Sequence, residues 1–320
     1  MKYPLKMIPA FKDYIWGGTR LKDEYNKKTD LSIVAESWEV SCHPDGQSIV
    51  DNGVFKGQTL AYVLKQHPEW MGSACEEMTE FPLLIKLIDA RESLSLQVHP
   101  GDEYARTVEN QAGKNEMWYI AEAEPGAELI LGFKKPMDKD ELKTILDNNE
   151  MMSAAQKVPV SAGDCYCIPA GMLHAIGAGI MIIEVQQNSN VTYRVYDFDR
   201  VDANGNLREL HINKAADVLD TKLMAKKSEG SILANWQYFK CEILTVNGSR
   251  DCNNGEESFQ CLTVINGELT IEHNSGENPH GGENPHSGEI KLNKGETVFI
   301  PAGTGEYSIH GTAELLTVHL

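Results

Sequence analysis

GDCYCIPAG at residues 163–171 and GETVFIPAG at residues 295–303 agree position for position: Gly and an acid, three residues, then Ile-Pro-Ala-Gly. Gly followed by an acid makes a tight turn into a strand. Pro-Ala-Gly ends that strand in a bend, because Pro cannot donate to the ladder and Gly permits positive φ. An internal repeat of this kind predicts two copies of one β architecture along the chain. Around it, most of the sequence is short β-rich runs separated by Gly, Pro, Asn and Asp, the spacing of an all-β sandwich or barrel. Helical periodicity is confined to three stretches. GQTLAYVLKQHPEW (57–70) has Leu60, Val63 and Leu64 at helical spacing after a Thr59 cap candidate, MDKDELKTILDNNE (137–150) has Asp early and sets Leu142, Ile145 and Leu146 on one face, and NKAADVLDTKL (213–223) is the third.

The repeated unit resembles the second motif of the cupin family, Gly-Asp-x3-Val/Ile-Pro-x-Gly-x2-His. That resemblance implies two jelly rolls in tandem. The copies differ where chemistry would sit: three residues after Gly171 stands His174, and three after Gly303 stands Glu306. Upstream of the second copy, SFQCLTVINGELTIEH has strand character but no His-x-His or Gln-x-His. The expected fold is all-β with a few helices: tandem cupin jelly-roll domains, residues 1–225 catalytic and 226–320 degenerate.

LSLQVHP (94–100) alternates strictly, with Leu94, Leu96 and Val98 on one side of a strand and Ser95, Gln97 and His99 on the other. A Gly-led strand, GKNEMWYI (113–120), then offers Glu116 and Trp118 on one face. In a cupin these strands and the Ile-Pro-Ala-Gly corner converge inside the barrel. Gln97, His99, Glu116 and His174 would there form an N/O shell for a divalent metal. Two imidazoles, a carboxylate and an amide, with no thiolate, suit Zn²⁺ with open positions. Cupin oxygenases place His-x-His around iron; the neutral Gln97 favours a redox-inert Lewis acid instead.

Other metal-like features read as structure. Cys165 and Cys167 form a Cys-x-Cys, but alternate positions in a strand also use Cys as a small apolar residue. The seven cysteines are an odd number without framework spacing, so reduced thiols are expected. SGENPHGGENPHSG (275–288) holds a duplicated GENPH with His280 and His286; its Gly, Asn and Pro mark a hairpin loop, and neither it nor nearby His273 is expected to bind metal. Trp16 and Trp38 are expected in the core. Lys86, in the apolar LLIKLID, either snorkels or enters the pocket.

LSLQVHPGDEYA, GKNEMWYI, IPAGMLHAIGAG and NSNVTYRVYDF, with YIWGG (14–18) and AESWEVS (35–41), closely resemble the type I mannose-6-phosphate isomerase (phosphomannose isomerase) family in its short bacterial form. The likeness runs from about residue 5 to the C-terminus. It implies a zinc-dependent aldose–ketose isomerase that interconverts mannose 6-phosphate and fructose 6-phosphate through a cis-enediol. It implies one Zn²⁺ per chain on Gln97, His99, Glu116 and His174, the four residues reached from spacing. It further implies Arg194 as the catalytic arginine and Glu184 and Lys114 as candidates for proton transfer. Ser95 and Arg200 would bind phosphate, Arg200 standing where longer relatives place Lys. Residue chemistry alone leaves Glu184 open as an ion-pair partner, Arg200 as a solvated loop residue and Ser95 as a strand residue bonded to its neighbour. A non-catalytic sugar-binding cupin is disfavoured by Lys114, Glu184 and Arg194 standing beside a complete shell.

A net charge of −18 argues against a nucleic-acid partner, and it requires a local Arg/Lys cluster for any anionic substrate. No apolar run approaches a membrane span, and MKYPLKMIPAFKDYIWGG (1–18) lacks the apolar stretch of a signal peptide. A cytoplasmic enzyme acting on a small sugar phosphate, as a monomer or weak homo-oligomer, is the expectation.

Overall fold

A computed structural model describes residues 2–201, 205–273 and 288–320. The GENPH duplication and the loop expected there lie outside the described residues. The protein is built largely from antiparallel strands. It divides into two compact units that are not the contiguous 1–225 and 226–320 expected from sequence. One comprises Met1–Phe11, Ser37–Lys86 and Glu229–Leu320; the other comprises Lys12–Glu36 and Leu87–Ser228. Strand pairing explains the departure: Leu5–Ile8 adds to the edge of Thr297–Ile300 with Leu5 opposite Phe299, drawing the N-terminus to the C-terminal part of the chain. Such a pairing carries no local sequence signal.

The unit containing the C-terminus is built on two long antiparallel pairings between strands distant in sequence, Lys240–Asn254 with Gly305–His319 and that strand with Gln260–His273. Its interior is a cluster of Val246, Leu262, Val264, Leu269, Ile271, Leu292, Ile309 and Leu315, all nearly inaccessible to solvent. The first expected helix lies in this unit as Leu60–Gln66, its Thr59 hydroxyl accepting from the Tyr62 N–H. Trp38 is buried here, and the buried Lys86 ammonium lies 5.1 Å from the Trp38 ring centre, so its charge meets a π face.

The other unit packs two sheets face to face. In one, the strands run in the order Tyr193–Tyr196, Leu96–Val98, His174–Ile176, Glu128–Phe133, Ala155–Pro159. In the other, Glu116–Ala123 lies between Cys165–Ile168 and Ile180–Gln187. One end of the space between them is filled by Trp16, Leu94, Trp118, Ile120, Leu129, Ile168 and Ile182. The outer face of the first sheet is covered by helices: Leu96 and Val98 pack with Leu142 and Leu146 of Lys139–Asp147 and Ala215 of Ile212–Val218. The alternation in LSLQVHP thus separates a helix-covered face from an interior one. Leu94, preceding the strand, packs inside instead. Cys165 is buried and Cys167 half-buried; neither is in a disulfide, and burial pushes both thiols up, to about 12 and about 11. Tyr166 and Ile168, on the alternate positions, join the interior cluster. No helix among the described residues is long and apolar enough to cross a membrane.

Candidate active site

Strand register sets the first row of the site. Leu96–Val98 is flanked on both sides, and Gln97 has Arg194 directly opposite on one neighbour and His174 on the other. Cross-strand partners share a face, so Arg194, Gln97 and His174 form a row on the interior side of one sheet. His99 follows two positions after Gln97. Across the barrel, Glu116 begins its strand opposite Ile168 on one side and Gln186 on the other.

His99, Glu116 and His174 bring their ligand atoms within 4.8 Å of one another, and all three are buried. The His99 and His174 Nε2 atoms are 3.1 Å apart, and each lies about 3.5 Å from a Glu116 oxygen, at 3.5 and 3.4 Å respectively. Tautomers follow from the other ring nitrogen. His99 Nδ1 lies 2.8 Å from the Val191 carbonyl and His174 Nδ1 2.8 Å from the Met172 carbonyl. A carbonyl only accepts, so Nδ1 carries the proton and both Nε2 lone pairs face the carboxylate. Main-chain carbonyls holding the far nitrogen of a histidine are the usual support of a metal ligand. Burial, opposed by the Met172 carbonyl and reinforced by the Lys114 charge, pushes His174 down to about 3, so the ring is neutral. Three convergent lone-pair donors in a buried pocket suit a cation.

Lys114 is buried at the same point, its Nζ 2.9 Å from Glu116 Oε2 and 3.2 Å from His99 Nε2. Gln97 Nε2 lies 3.4 Å from His174 Nε2, and its Oε1 accepts from Ser95 Oγ at 3.1 Å. A half-turn of that amide would present Oε1 to the histidines. Below the cluster, Glu184 pairs in register with Trp118 and accepts from the indole N–H at 2.8 Å. The Trp118 ring meets His174 edge-on at 5.4 Å. Glu184 is therefore linked to the cluster through an aromatic ring.

The corner is held by Gly171 together with Asn115 and Gln187, which the sequence did not single out. Asn115 donates from its backbone and side chain to Gln187 Oε1, at 3.0 and 2.8 Å, while its own Oδ1 accepts from the Ala170 N–H at 2.9 Å. Gly171 sits at φ +88°, where a Cβ would meet the Val218 carbonyl at 3.0 Å, and its N–H donates to the His99 carbonyl at 2.9 Å. The Pro-Ala-Gly bend is thereby tied both to His99 and to the Lys114–Glu116 segment.

At the rim, Arg194 donates from Nη1 to the Glu209 carbonyl at 3.0 Å. Arg200 is half-buried, not solvated. It donates to the Ser93 carbonyl and to Asp197 Oδ1, both at 2.6 Å. Arg208, unremarked in the sequence, forks onto the same Asp197 carboxylate, its Nε 2.6 Å from Oδ2. Burial alone would raise the Asp197 carboxyl, but bonds from Arg208 and Arg200 outweigh it and hold it below the ordinary range. Arg194, Arg200 and Arg208 give this rim the local positive charge that the acidic chain otherwise lacks. Ser95 is buried against Gln97, and the Arg200 anchor at Ser93 lies two residues from it.

Comparison with known proteins gives the family. Residues 5–133 match the family description "Phosphomannose isomerase type I, catalytic domain", and residues 230–320 match "Mannose-6-phosphate isomerase, cupin domain". The chain is 37% identical to "Mannose-6-phosphate isomerase ManA" of Bacillus subtilis, over 99% of both chains. Among solved structures it superposes on the mannose 6-phosphate isomerase of Bacillus subtilis with a TM-score of 0.89, at 34% identity and 100% coverage of both chains. It also shares its fold with a mannose 6-phosphate isomerase solved "bound with zinc and yttrium", at a TM-score of 0.74, 17% identity and 99% coverage of both chains. With relatives this similar along its whole length, the chain belongs to the type I mannose-6-phosphate isomerase family of enzymes.

Proposed function

We propose that the protein interconverts mannose 6-phosphate and fructose 6-phosphate through a cis-enediol, with one Zn²⁺ per chain held by Gln97, His99, Glu116 and His174. The observation that carries this is the pair of histidine Nε2 atoms turned on the buried Glu116 carboxylate, beside Lys114 and across one strand from Arg194. The donor set fits the ion: two neutral imidazoles, a carboxylate and an amide within turning distance. When bound, zinc supplies a redox-inert Lewis acid for the sugar's oxygens.

The chain's own residues supply the rest. Isomerisation moves a proton between C1 and C2, which requires a positioned acid–base group and positive charge where the enediolate develops. Arg194, in the Gln97 row, provides that charge. Lys114 and Glu184 are the proposed proton-transfer residues: Lys114 stands in the cluster, Glu184 behind Trp118. Ser95 and Arg200 bind the phosphoryl group, Arg200 presenting a fork that matches its geometry. The reading includes a cytoplasmic location and action as a monomer or weak homo-oligomer, which size-exclusion chromatography over a concentration series would check.

Chelator-treated protein in an assay coupled to fructose 6-phosphate should lose turnover of mannose 6-phosphate, and Zn²⁺ should restore it. Elemental analysis should find one zinc per chain. Full activity in demonstrably metal-free protein would overturn the metal assignment, and binding of sugar phosphate without conversion would overturn the enzymatic one.

A further inference from the structure

Arg194 lies on Tyr193–Tyr196, the terminal strand of its sheet among the described residues, so one edge of that strand has no ladder partner among them. Residues 208–211 lie along that edge and grip Arg194 at three points. The His211 N–H donates to the Arg194 carbonyl at 2.7 Å. The Arg194 N–H donates to His211 Nδ1 at 3.2 Å. The Arg194 Nη1 donates to the Glu209 carbonyl at 3.0 Å. Both backbone groups of Arg194 thus face outward to one residue. That makes Arg194–Gln97 a non-hydrogen-bonded pair, the kind in which opposed side chains stand closest.

The side-chain bond works in one protonation state only. Nδ1 accepts from an N–H, so it must be bare; an imidazolium carries protons on both nitrogens and would set donor against donor. Around the ring stand Arg194 and Tyr193 on the strand, Glu209 with its carboxylate 3.9 Å from Nε2, Lys214 on the helix Ile212–Val218, and Glu109. Glu109 is already engaged by Lys214 Nζ and the Tyr193 hydroxyl, both at 2.7 Å. Burial, then the Arg194 charge, moves His211 below its ordinary value, which keeps it neutral near pH 7.

We propose that His211 is a positioning residue for the isomerase reaction: its neutral imidazole holds Arg194 in the Gln97 row, and its protonation releases Arg194 and lowers turnover on the acid side. The inference rests on the reading of Arg194 as the residue that stabilises the enediolate. His211→Ala should reduce kcat about tenfold, since small misplacements of a catalytic group cost up to ~100-fold, with KM and zinc content nearly unchanged. His211→Asn sets Oδ1 where Nδ1 stood and should recover most of the loss; His211→Gln, whose acceptor reaches one bond further, should not. The His211→Asn enzyme should also lack an acid limb present in the wild-type kcat–pH profile, because an amide does not titrate there. Wild-type kcat in His211→Ala, equal kcat in the Asn and Gln variants, or an acid limb unchanged in His211→Asn would each overturn the proposal. Should His211→Ala fail to fold, the Asn profile alone decides. Arg194→Lys, run in parallel, separates the two readings. Normal turnover there removes the role given to Arg194. A loss there combined with wild-type kcat in His211→Ala removes only the role given to His211.

Discussion

Ile168 of the first Ile-Pro-Ala-Gly corner lies opposite Glu116; Ile300 of the second lies opposite Gln260. Two residues further along, Trp118 faces Tyr166 in the first jelly roll, and Leu262 faces Val298 in the second. His174 is opposite Gln97, while Glu306 is opposite Asn253, and the position two beyond, His99 in the first roll, is Gly255 in the second. Register alone therefore aligns Gln97, His99, Glu116 and His174 with Asn253, Gly255, Gln260 and Glu306. The shared residues are those the backbone needs: Gly171 and Gly303 both sit in the left-handed region after a strand-ending Pro. The residues that differ are those that would hold a cation. In the second roll Asn253, Gly255 and Glu306 are exposed and Gln260 half-buried, and what the roll buries is a cluster of mainly Leu, Ile and Val. A dry apolar interior cannot hold a charge without partners.

The sharpest way to break this comparison is to delete matched positions in both rolls. His99→Ala and Glu116→Ala should lose zinc and lower kcat by at least ~100-fold, the scale of losing a positioned electrostatic contact. Asn253→Ala and Gln260→Ala should keep zinc and stay within about twofold of wild type. A comparable loss from either of the latter pair would give the second roll a catalytic part and end the contrast. Arg194→Ala should follow in size, lowering kcat by roughly 10²–10³-fold while metal content is unchanged. Normal turnover in Arg194→Ala would leave the row opposite Gln97 without its proposed purpose.

Both corners were legible in the sequence because Pro and Gly answer local backbone demands, and the strand around Gln97 was legible because a period of two puts Gln97 and His99 on one face. The helix capped at Thr59 was legible for the same local reason. What escaped was long-range. His211 meets Arg194 across seventeen residues of chain and Arg208 meets Asp197 across eleven, and neither spacing matches a repeat. Asn115, which ties the Pro-Ala-Gly bend to Gln187, looks in sequence like any strand-flanking amide. The pairing of Leu5 with Phe299, which recasts the domain boundaries, is invisible to any window of sequence.

Stability should sharpen the contrast from the other side. Leu262→Ala empties part of the second interior and should cost about 2–5 kcal/mol in denaturant unfolding, with kcat of the folded enzyme unaltered. Trp118→Phe, at the matching position, keeps most of the volume but removes the N–H held by Glu184. It should show the opposite balance, a fall in kcat exceeding its effect on unfolding. Equal behaviour of the two variants would mean that Trp118 serves as filler, as Leu262 does.

The smallest expected effect concerns pH. Asp197 in the first jelly roll is held by two guanidiniums, whereas Thr263 and Thr297 in the second share a hydroxyl bond of 3.0 Å in full burial. Because the folded carboxyl of Asp197 titrates below its unfolded value, its contribution is fully present above about pH 4 and is lost as pH falls through the folded value. Asp197→Asn should therefore destabilise by about 1 kcal/mol at pH 7, and the difference from wild type should shrink steadily below pH 4. Thr297→Val leaves the Thr263 hydroxyl unsatisfied at a cost of about 1–3 kcal/mol, with no proton gained or lost. Its difference from wild type should stay flat over the same range, because nothing in a hydroxyl pair titrates there. Melting both variants beside wild type from pH 7 to pH 3 tests this: an Asp197→Asn difference that stays constant with pH would mean that Arg200 and Arg208 do not depress that carboxyl, and that the rim is held together by something other than its charge.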